Sequence, residues 1–586
     1  MTSSLDSSLQ TNVQPFNRDS FKSGKQVSVI GTGRLGGKAQ GLVFISDILQ
    51  SGIGPEEFPE ITINIPALVV ICTDIFDKFM LQNELIDIAF SDQTDDRIAH
   101  AFMKAELPFE ILGDLRSLIT QTKSPLAIRS SSLLEDSTYE PFAGVFKTKM
   151  IPNNQFDIAT RFKKLTEAIK LVFASTYFKA ARDYMSATGH KLEDEKMAVI
   201  IQEVVGKRHD DRFYPELSGV ARSFNFYPTG SAKQSDGVVN LALGMGKTIV
   251  DGGRCWGYSP AYPRVSPPFG SIGELLKLSQ TEFWAVNMGS PPMYDPIKET
   301  EYMLLENLTA AEKDNTLRYI ASTYNPQSDR LTMGVGKKGP RALTFEPLLS
   351  LERPPLNQLV EKLLALCETA LNSPVEIEFA MTFDPHQFGF LQVRKMVVPS
   401  DVIDITDDQL NDVNVLAASK STLGNGIINT IKDIVYVLPD KFEMKHTQAI
   451  ALELEQINQH LVAANSPYLL IVLGRLGSST PWLGIPVFWS QISASKVIVE
   501  ATQENANVEM SQGSHFFHNL TNLGINYFSV PFAGEFSIDW DWLDQQEIVN
   551  ETRFVRHIRL YEAIKVMVDG RSGRGVIHKP PGAADD

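Results

Sequence analysis

Cysteine is scarce in this 586-residue chain, and Cys72, Cys255 and Cys367 stand far apart. Such spacing indicates neither a disulfide framework nor a Cys-rich zinc site. Cys72 and Cys367 lie in apolar runs and read as core residues. Basic blocks are missing as well: 54 Lys and Arg against 70 Asp and Glu leave a net charge of −16. Affinity for a phosphate backbone requires a basic footprint, so nucleic acid is not expected as a principal partner. No apolar run approaches membrane-spanning length, and the opening MTSSLDSSLQTNVQPFNRDS is polar, without a signal-type apolar core. The expectation is a soluble, cytoplasmic protein with no membrane partner.

The length suggests two to four domains with ample apolar sequence for large cores. Residues 1–24, rich in Ser, Asn and Gln, read as a disordered lead-in. From 25 to about 240, strand-like runs (VSVI, ALVVIC, PLAIRS, MAVIIQEVV) alternate with helical stretches such as FDIATRFKKLTEAIKLVFASTYF. That alternation predicts α/β or α+β architecture. Residues 258–345 are rich in Pro, Gly, Ser and Asn and read as an elaborated arm or lid. The helix-like PLNQLVEKLLALCETAL then precedes a strand pair, VEIEFAM and FGFLQVRKMV. An acidic, aperiodic linker at 401–412 separates a domain over 25–400 from a smaller α/β domain over 413–586.

The most informative stretch is SPLAIRSSSLLEDSTYEPFAGVFKTKM, residues 124–150. A short apolar strand delivers Arg129, the hydroxyls Ser130, Ser131 and Ser132, and then Glu135 and Asp136. A guanidinium presents a planar fork of donors matched to phosphate oxygens. On its own the stretch equally suits a turn whose serines cap a helix. Three further segments bear on it: LGGKAQGL (35–42), MAVIIQEVV with SGVARSFNFYP (197–228), and VEIEFAMTF ending in FLQVRK (375–395). Together, and in this order, the four resemble the nucleotide-binding domain of the pyruvate phosphate dikinase and phosphoenolpyruvate synthase family. The resemblance covers roughly residues 25–400.

That resemblance implies an ATP-grasp module of two lobes, with ATP and Mg²⁺ as cofactors. It implies that Lys38 of the Gly-Gly-Lys loop and Arg129, with Ser130 beside it, contact phosphates. Gln202 and Glu203 match the hinge positions that hold adenine and ribose; for Glu203 a capping or solvated role fits equally. The family pattern Glu…Gln-x-Arg maps onto Glu378, Gln392 and Arg394, the first two as Mg²⁺ ligands and Arg394 as a stabiliser of transferring charge. Mg²⁺ wants few, hard oxygen ligands from protein, and Glu376 shares a strand face with Glu378. A cross-strand Glu–Arg pair is the alternative for Arg394. In the Gly-rich turn LALGMGKTIVDGG the family usually carries an acidic residue where this chain has Lys247, which could contact phosphate instead.

Two rival glycine motifs fail. Gly31, Gly33 and Gly36 form G-x-G-x-x-G, but no clear acidic residue closes a second strand near the dinucleotide-fold spacing, which ranks this motif low. A P-loop would need glycine in place of Thr32 and Ser or Thr in place of Ala39.

The resembled family binds pyruvate in a C-terminal TIM barrel; too few residues follow position 400 for the ~250 of such a barrel, so the resemblance does not extend to pyruvate as the expected acceptor. The tail does hold GSHFFHNLTNLGI (513–525), whose His515 and Leu-Gly-Ile spacing resembles the family's phosphohistidine helix. A helix N-terminus suits a phosphorylated imidazole. Phe516 and Phe517, where small residues are usual, favour a packed, structural histidine; His518 is a weaker candidate. GRLGSSTPWLGIPVFW (474–489) reads either as a loop for an anionic acceptor or as an aromatic corner of the core. Two functions follow: a phosphotransferase whose acceptor is an unidentified small molecule or protein, or an ATP-binding sensor or scaffold without turnover. An activity that needs a separate acceptor chain, and an oligomer, both fit the same sequence.

Overall fold

The computed structural model describes residues 13–18, 27–54, 56–133, 144–188, 190–226, 228–267, 271–396, 398, 403–477, 484–502, 525–532, 534–570 and 572–580. The chain divides into two compact units. The first holds residues 1–223, 229–249 and 254–396, and the second holds 224–228, 250–253 and 397–586.

Two six-stranded mixed sheets dominate the first unit. One runs in the order Gln14–Pro15, Val27–Ile30, Leu68–Ile71, Met197–Glu203, Leu126–Ser132, Lys149–Ile151. The four apolar runs VSVI, LVVI, LAIRSSS and MAVIIQE thus become neighbours, as runs this rich in Val and Ile do when both faces are covered. The second sheet is ordered Trp256–Tyr258, Val238–Ala242, Leu217–Arg222, Val375–Thr382, Gln387–Lys395, Thr62–Asn64. Gly219 lies opposite Phe379 in this sheet, and a Cβ there would sit 2.1 Å from the Phe379 ring.

Helix Gly37–Gly52 packs on both the Leu126–Ser132 and the Gln387–Lys395 strands. It buries Ala39, Leu42, Val43 and Ile45, at helical spacing. Burying each of the larger three stabilises the unit by about 1.5–3 kcal/mol. Gly41 brings the helix close enough that a Cβ would lie 3.3 Å from the Val393 carbonyl oxygen. Helix Ile158–Ser175 covers the first sheet; Asp157 caps it by accepting from the Thr160 N–H at 2.7 Å.

Residues 258–345 hold regular strands. They contribute Glu282–Asn287 and Met303–Asn307 to a four-stranded sheet and form a three-stranded one from Ala321–Asn325, Arg330–Met333 and Arg341–Leu343. The strands are short and half-exposed, so turn residues outnumber apolar ones in the sequence and conceal them.

The second unit is α/β. Four adjacent strands, Asp433–Val437, Tyr468–Leu473, Ser495–Ala501 and Asn526–Val530, run parallel in a seven-stranded sheet. Helix Thr447–Ala463 joins the first two and buries Ile450, Leu454, Ile457 and Leu461. A four-stranded antiparallel sheet completes the unit. No helix among the described residues is long and apolar enough to cross a membrane.

Candidate functional site

Arg129 projects from one large sheet of the first unit and bonds to the other. Its Nη1 donates to Gln202 Oε1 at 3.1 Å and to the Leu391 carbonyl at 3.0 Å, and Nη2 donates to Gln392 Oε1 at 2.8 Å. Glu378 Oε2 lies 3.9 Å from the same Nη2. Backbone register arranges these partners. Gln202 faces Ala127, two residues from Arg129 and so on the same side of the sheet. Glu378 faces Gln392 across the second sheet, and the register then slips so that Phe379 faces Phe390. Leu391 is therefore the extra residue of a β-bulge, which frees its carbonyl from the ladder. Arg129 takes that carbonyl.

The glycine loop is pinned from behind. Asp74 accepts from the Thr32 and Gly33 N–H groups at 3.0 and 2.9 Å, and Thr73 accepts from Arg34 N at 3.0 Å. Ser131 accepts from Ala39 N at 3.1 Å and donates to the Leu35 carbonyl at 2.9 Å. Gly36, at φ +76°, passes so near that a Cβ would stand 1.7 Å from the Ser131 carbonyl oxygen. Gly36 also supplies no side-chain cap to the helix that follows, which suits a terminus whose first amides meet an anion. Lys38, on the first turn, reaches Ser130 Oγ at 3.4 Å.

The model of the pyruvate phosphate dikinase AMP/ATP-binding domain family matches residues 32–409. The chain belongs to that family. Its fold is accordingly an ATP-grasp module, followed here by a smaller α/β domain, and the matched domain is one that binds ATP or AMP. No curated protein matches the chain closely enough to add to this.

Within the family domain, Gln202 and Glu203 end the strand Met197–Glu203. Gln202 is 2% exposed, and among the described residues its Nε2 has no hydrogen-bond partner. A buried donor without an acceptor is costly, and an acceptor nitrogen or oxygen of a nucleotide would satisfy it. Burial pushes the Glu203 carboxyl above its ordinary value, against a hydrogen bond from Ser124 that lowers it. Its backbone N–H is held by the Ala67 carbonyl at 3.0 Å. Glu378 and Gln392 place one carboxylate and one amide oxygen opposite each other, a donor set that Mg²⁺ accepts when water and phosphate complete its shell.

The next row of the second sheet carries Arg222, Glu376 and Arg394 side by side. Glu376 is 1% exposed; its Oε2 takes Arg222 Nε at 2.6 Å and its Oε1 takes Arg394 Nε at 2.7 Å. Arg394, expected at the transferring phosphoryl group, is thus bonded to Glu376. Lys247 opens the short helix Lys247–Val250, beyond the end of the Val238–Ala242 strand. Glu135 and Asp136, which follow Arg129 in the sequence, and His515 and His518 lie outside the described residues.

Sequence reasoning did not find Asp74, Leu391 or Arg222. Asp74 lies in the first turn of helix Thr73–Gln82 and looks like an ordinary first-turn acid. A bulge such as that at Leu391 leaves no compositional trace. Arg222 stood in a quoted motif, SGVARS, and its opposition to Glu376 was the signal a register argument could have used.

Proposed function

We propose that the chain is an ATP- and Mg²⁺-dependent phosphotransferase of the dikinase type, with an acceptor still to be identified. The observation that carries this reading is Arg129. One guanidinium meets Gln202, Gln392 and Glu378, the positions assigned to nucleoside and metal, beside the Lys38 loop. In this reading Lys38, Arg129 and Ser130 hold the phosphates, Lys247 approaches them from the neighbouring turn, and Gln202 and Glu203 hold adenine and ribose. Glu378 and Gln392 would hold Mg²⁺, which supplies charge neutralisation at the phosphates when bound. Arg394, released from Glu376 or sharing it, stabilises charge on the transferring group. His515 is the proposed carrier: a ring nitrogen bonds to the β-phosphorus as the Pα–O–Pβ bond breaks, AMP leaves with the electron pair, and water then removes the γ-phosphate as inorganic phosphate. The protein would act in the cytoplasm, alone or as an oligomer.

A second reading, an ATP-binding sensor without turnover, is favoured by Arg394's engagement with Glu376 and by Lys247 in an ordinarily acidic position. ATP labelled separately at the β and γ phosphates decides between them. AMP with label kept on the protein, and lost in His515→Ala, is the expected result. ADP alone means a simple kinase or ATPase. Tight ATP binding with no turnover, alone and with candidate acceptors, supports the sensor.

A further inference from the structure

Four described arginines are more than nine-tenths buried: Arg161, Arg222, Arg394 and Arg475. Three have acceptors. Arg161 donates to the Thr122 carbonyl at 3.2 Å, and Arg222 and Arg394 share Glu376. Arg475, in the second unit, is 7% exposed, yet among the described residues no hydrogen bond or ion pair reaches its guanidinium. An arginine does not shed its proton to escape burial, and an uncompensated buried charge is strongly unfavourable. Such a group calls for an anion.

Its backbone is held rigidly, so the missing partner is not a matter of a loose loop. Gly474 N donates to the Ala501 carbonyl at 2.8 Å, and Leu476 N donates to Glu500 Oε1 at 2.8 Å. Arg475 and Leu476 pair with Gly484 and Ile485, and a Cβ on Gly484 would stand 2.0 Å from the Arg475 carbonyl oxygen. Gly474 turns with φ +81°. The location has its own meaning. Arg475 lies two residues past the carboxyl end of Tyr468–Leu473, flanked by the parallel strands Asp433–Val437 and Ser495–Ala501. Ligands of open parallel sheets bind outside the carboxyl ends of the strands.

We infer that Arg475 anchors a second ligand site, in the C-terminal unit, for a small molecule bearing a carboxylate or phosphate. The planar fork binds either oxoanion in bidentate fashion. Taking that molecule to be the phosphoryl acceptor rests on the phosphotransferase reading; the site itself does not.

The test uses the full chain with its nucleotide site filled by a non-hydrolysable ATP analogue. Inorganic phosphate and, separately, acetate are titrated calorimetrically into wild type, Arg475→Met and Arg475→Lys. Saturable binding of one anion, lost in Arg475→Met and weakened about tenfold in Arg475→Lys, is expected; which anion binds names the ligand group. Ligand-free Arg475→Met should also melt at or above the wild-type temperature, because it removes an unpaired buried charge. Absence of binding by both anions, or equal affinity in wild type and Arg475→Met, overturns the inference. Should Arg475→Met not fold, the Arg475→Lys titration decides alone. Because no turnover is read, a failed ATP reading leaves the outcome interpretable.

Discussion

Removing Glu376 and removing Arg222 should have very different consequences, although the two side chains share one ion pair. The buried row holds two cations and one anion, with side-chain exposures of 4% for Arg222, 1% for Glu376 and 7% for Arg394. Glu376→Gln takes from Arg222 and Arg394 the carboxylate that both of them share. Breaking a buried pair from one side costs about 3–5 kcal/mol. Arg222→Met keeps the Glu376–Arg394 pair and replaces a charge by an apolar chain of similar length, which is often neutral or stabilising. At an effective dielectric constant of 20 a pair ~4 Å apart is worth about 4 kcal/mol, so losing one of two attractions still leaves Glu376 compensated. In a unit of several hundred residues, about 1–2 °C of Tm accompanies each kcal/mol. Calorimetric melting of the full chain should therefore show the first unit's transition about 3–10 °C lower in Glu376→Gln and within roughly 2 °C of wild type in Arg222→Met. If Arg222→Met costs as much as Glu376→Gln, the charge-balance argument is wrong. Arg222 would then be held by contacts other than its ion pair.

Three further outcomes follow from the same geometry. Gly36→Ala should lower ATP affinity and stability together, since its methyl group meets the Ser131 carbonyl at 1.7 Å and adds strain of about 1–3 kcal/mol at positive φ; equilibrium dialysis with ATP and a melting curve check it. In the native protein a thiol reagent at pH 8 should modify Cys255 alone, because Cys72 and Cys367 are buried and burial pushes both thiols up to about 12. Fast labelling of either one in folded protein would contradict their burial. Asp433 is buried, which raises its carboxyl, but hydrogen bonds from His557 at 2.8 Å and Ser466 at 2.7 Å outweigh that and leave it below the ordinary value. A depressed carboxyl stabilises the fold above the unfolded pKa of about 3.9 and loses that contribution as pH falls through the lower folded value. Urea denaturation from pH 6 to pH 2 should thus show the second unit weakening below about pH 4, with a flatter profile in Asp433→Asn.

Much of the fold was legible because apolar runs of β-branched residues leave a strong trace. VSVI, ALVVIC, PLAIRS and MAVIIQEVV read as strand-like and hold four strands of one sheet; PLNQLVEKLLALCETAL reads as a helix and holds Leu356–Leu371. The short strands within 258–345 were hidden, since three- to six-residue strands with one solvated face resemble turns in composition. At the site, the sequence could pair Glu378 with Gln392 through the hairpin they share. It could not bring Arg129 to them, because 263 residues separate Arg129 from Gln392, and only the packing of two sheets around helix Gly37–Gly52 closes that distance. Nor could it show that Glu376, read only as a neighbour of Glu378, takes both Arg222 and Arg394.

The position of Arg129 bears directly on how metal would enter. Its Nη2 stands 2.8 Å from Gln392 Oε1 and 3.9 Å from Glu378 Oε2, the two oxygens assigned to Mg²⁺. A cation of the protein's own thus faces the pair. Mg²⁺ holds its oxygens at ~2.0–2.1 Å and tolerates little departure from octahedral geometry, so the guanidinium and the metal cannot both have these oxygens at close range. Nucleotide phosphates would draw Arg129 away, and metal and ATP should then bind together, each raising the affinity for the other by the same factor. Mn²⁺ titrations followed by electron paramagnetic resonance test this with a paramagnetic substitute for Mg²⁺. Wild type should bind Mn²⁺ at this site only when ATP is present. Arg129→Met, which uncovers both oxygens and removes a positive charge, should bind Mn²⁺ without ATP, and the additional substitution Glu378→Gln should abolish that binding. If Arg129→Met leaves nucleotide-free Mn²⁺ binding as weak as in wild type, the guanidinium is not what keeps the metal out, and Glu378 with Gln392 is too sparse a donor set by itself.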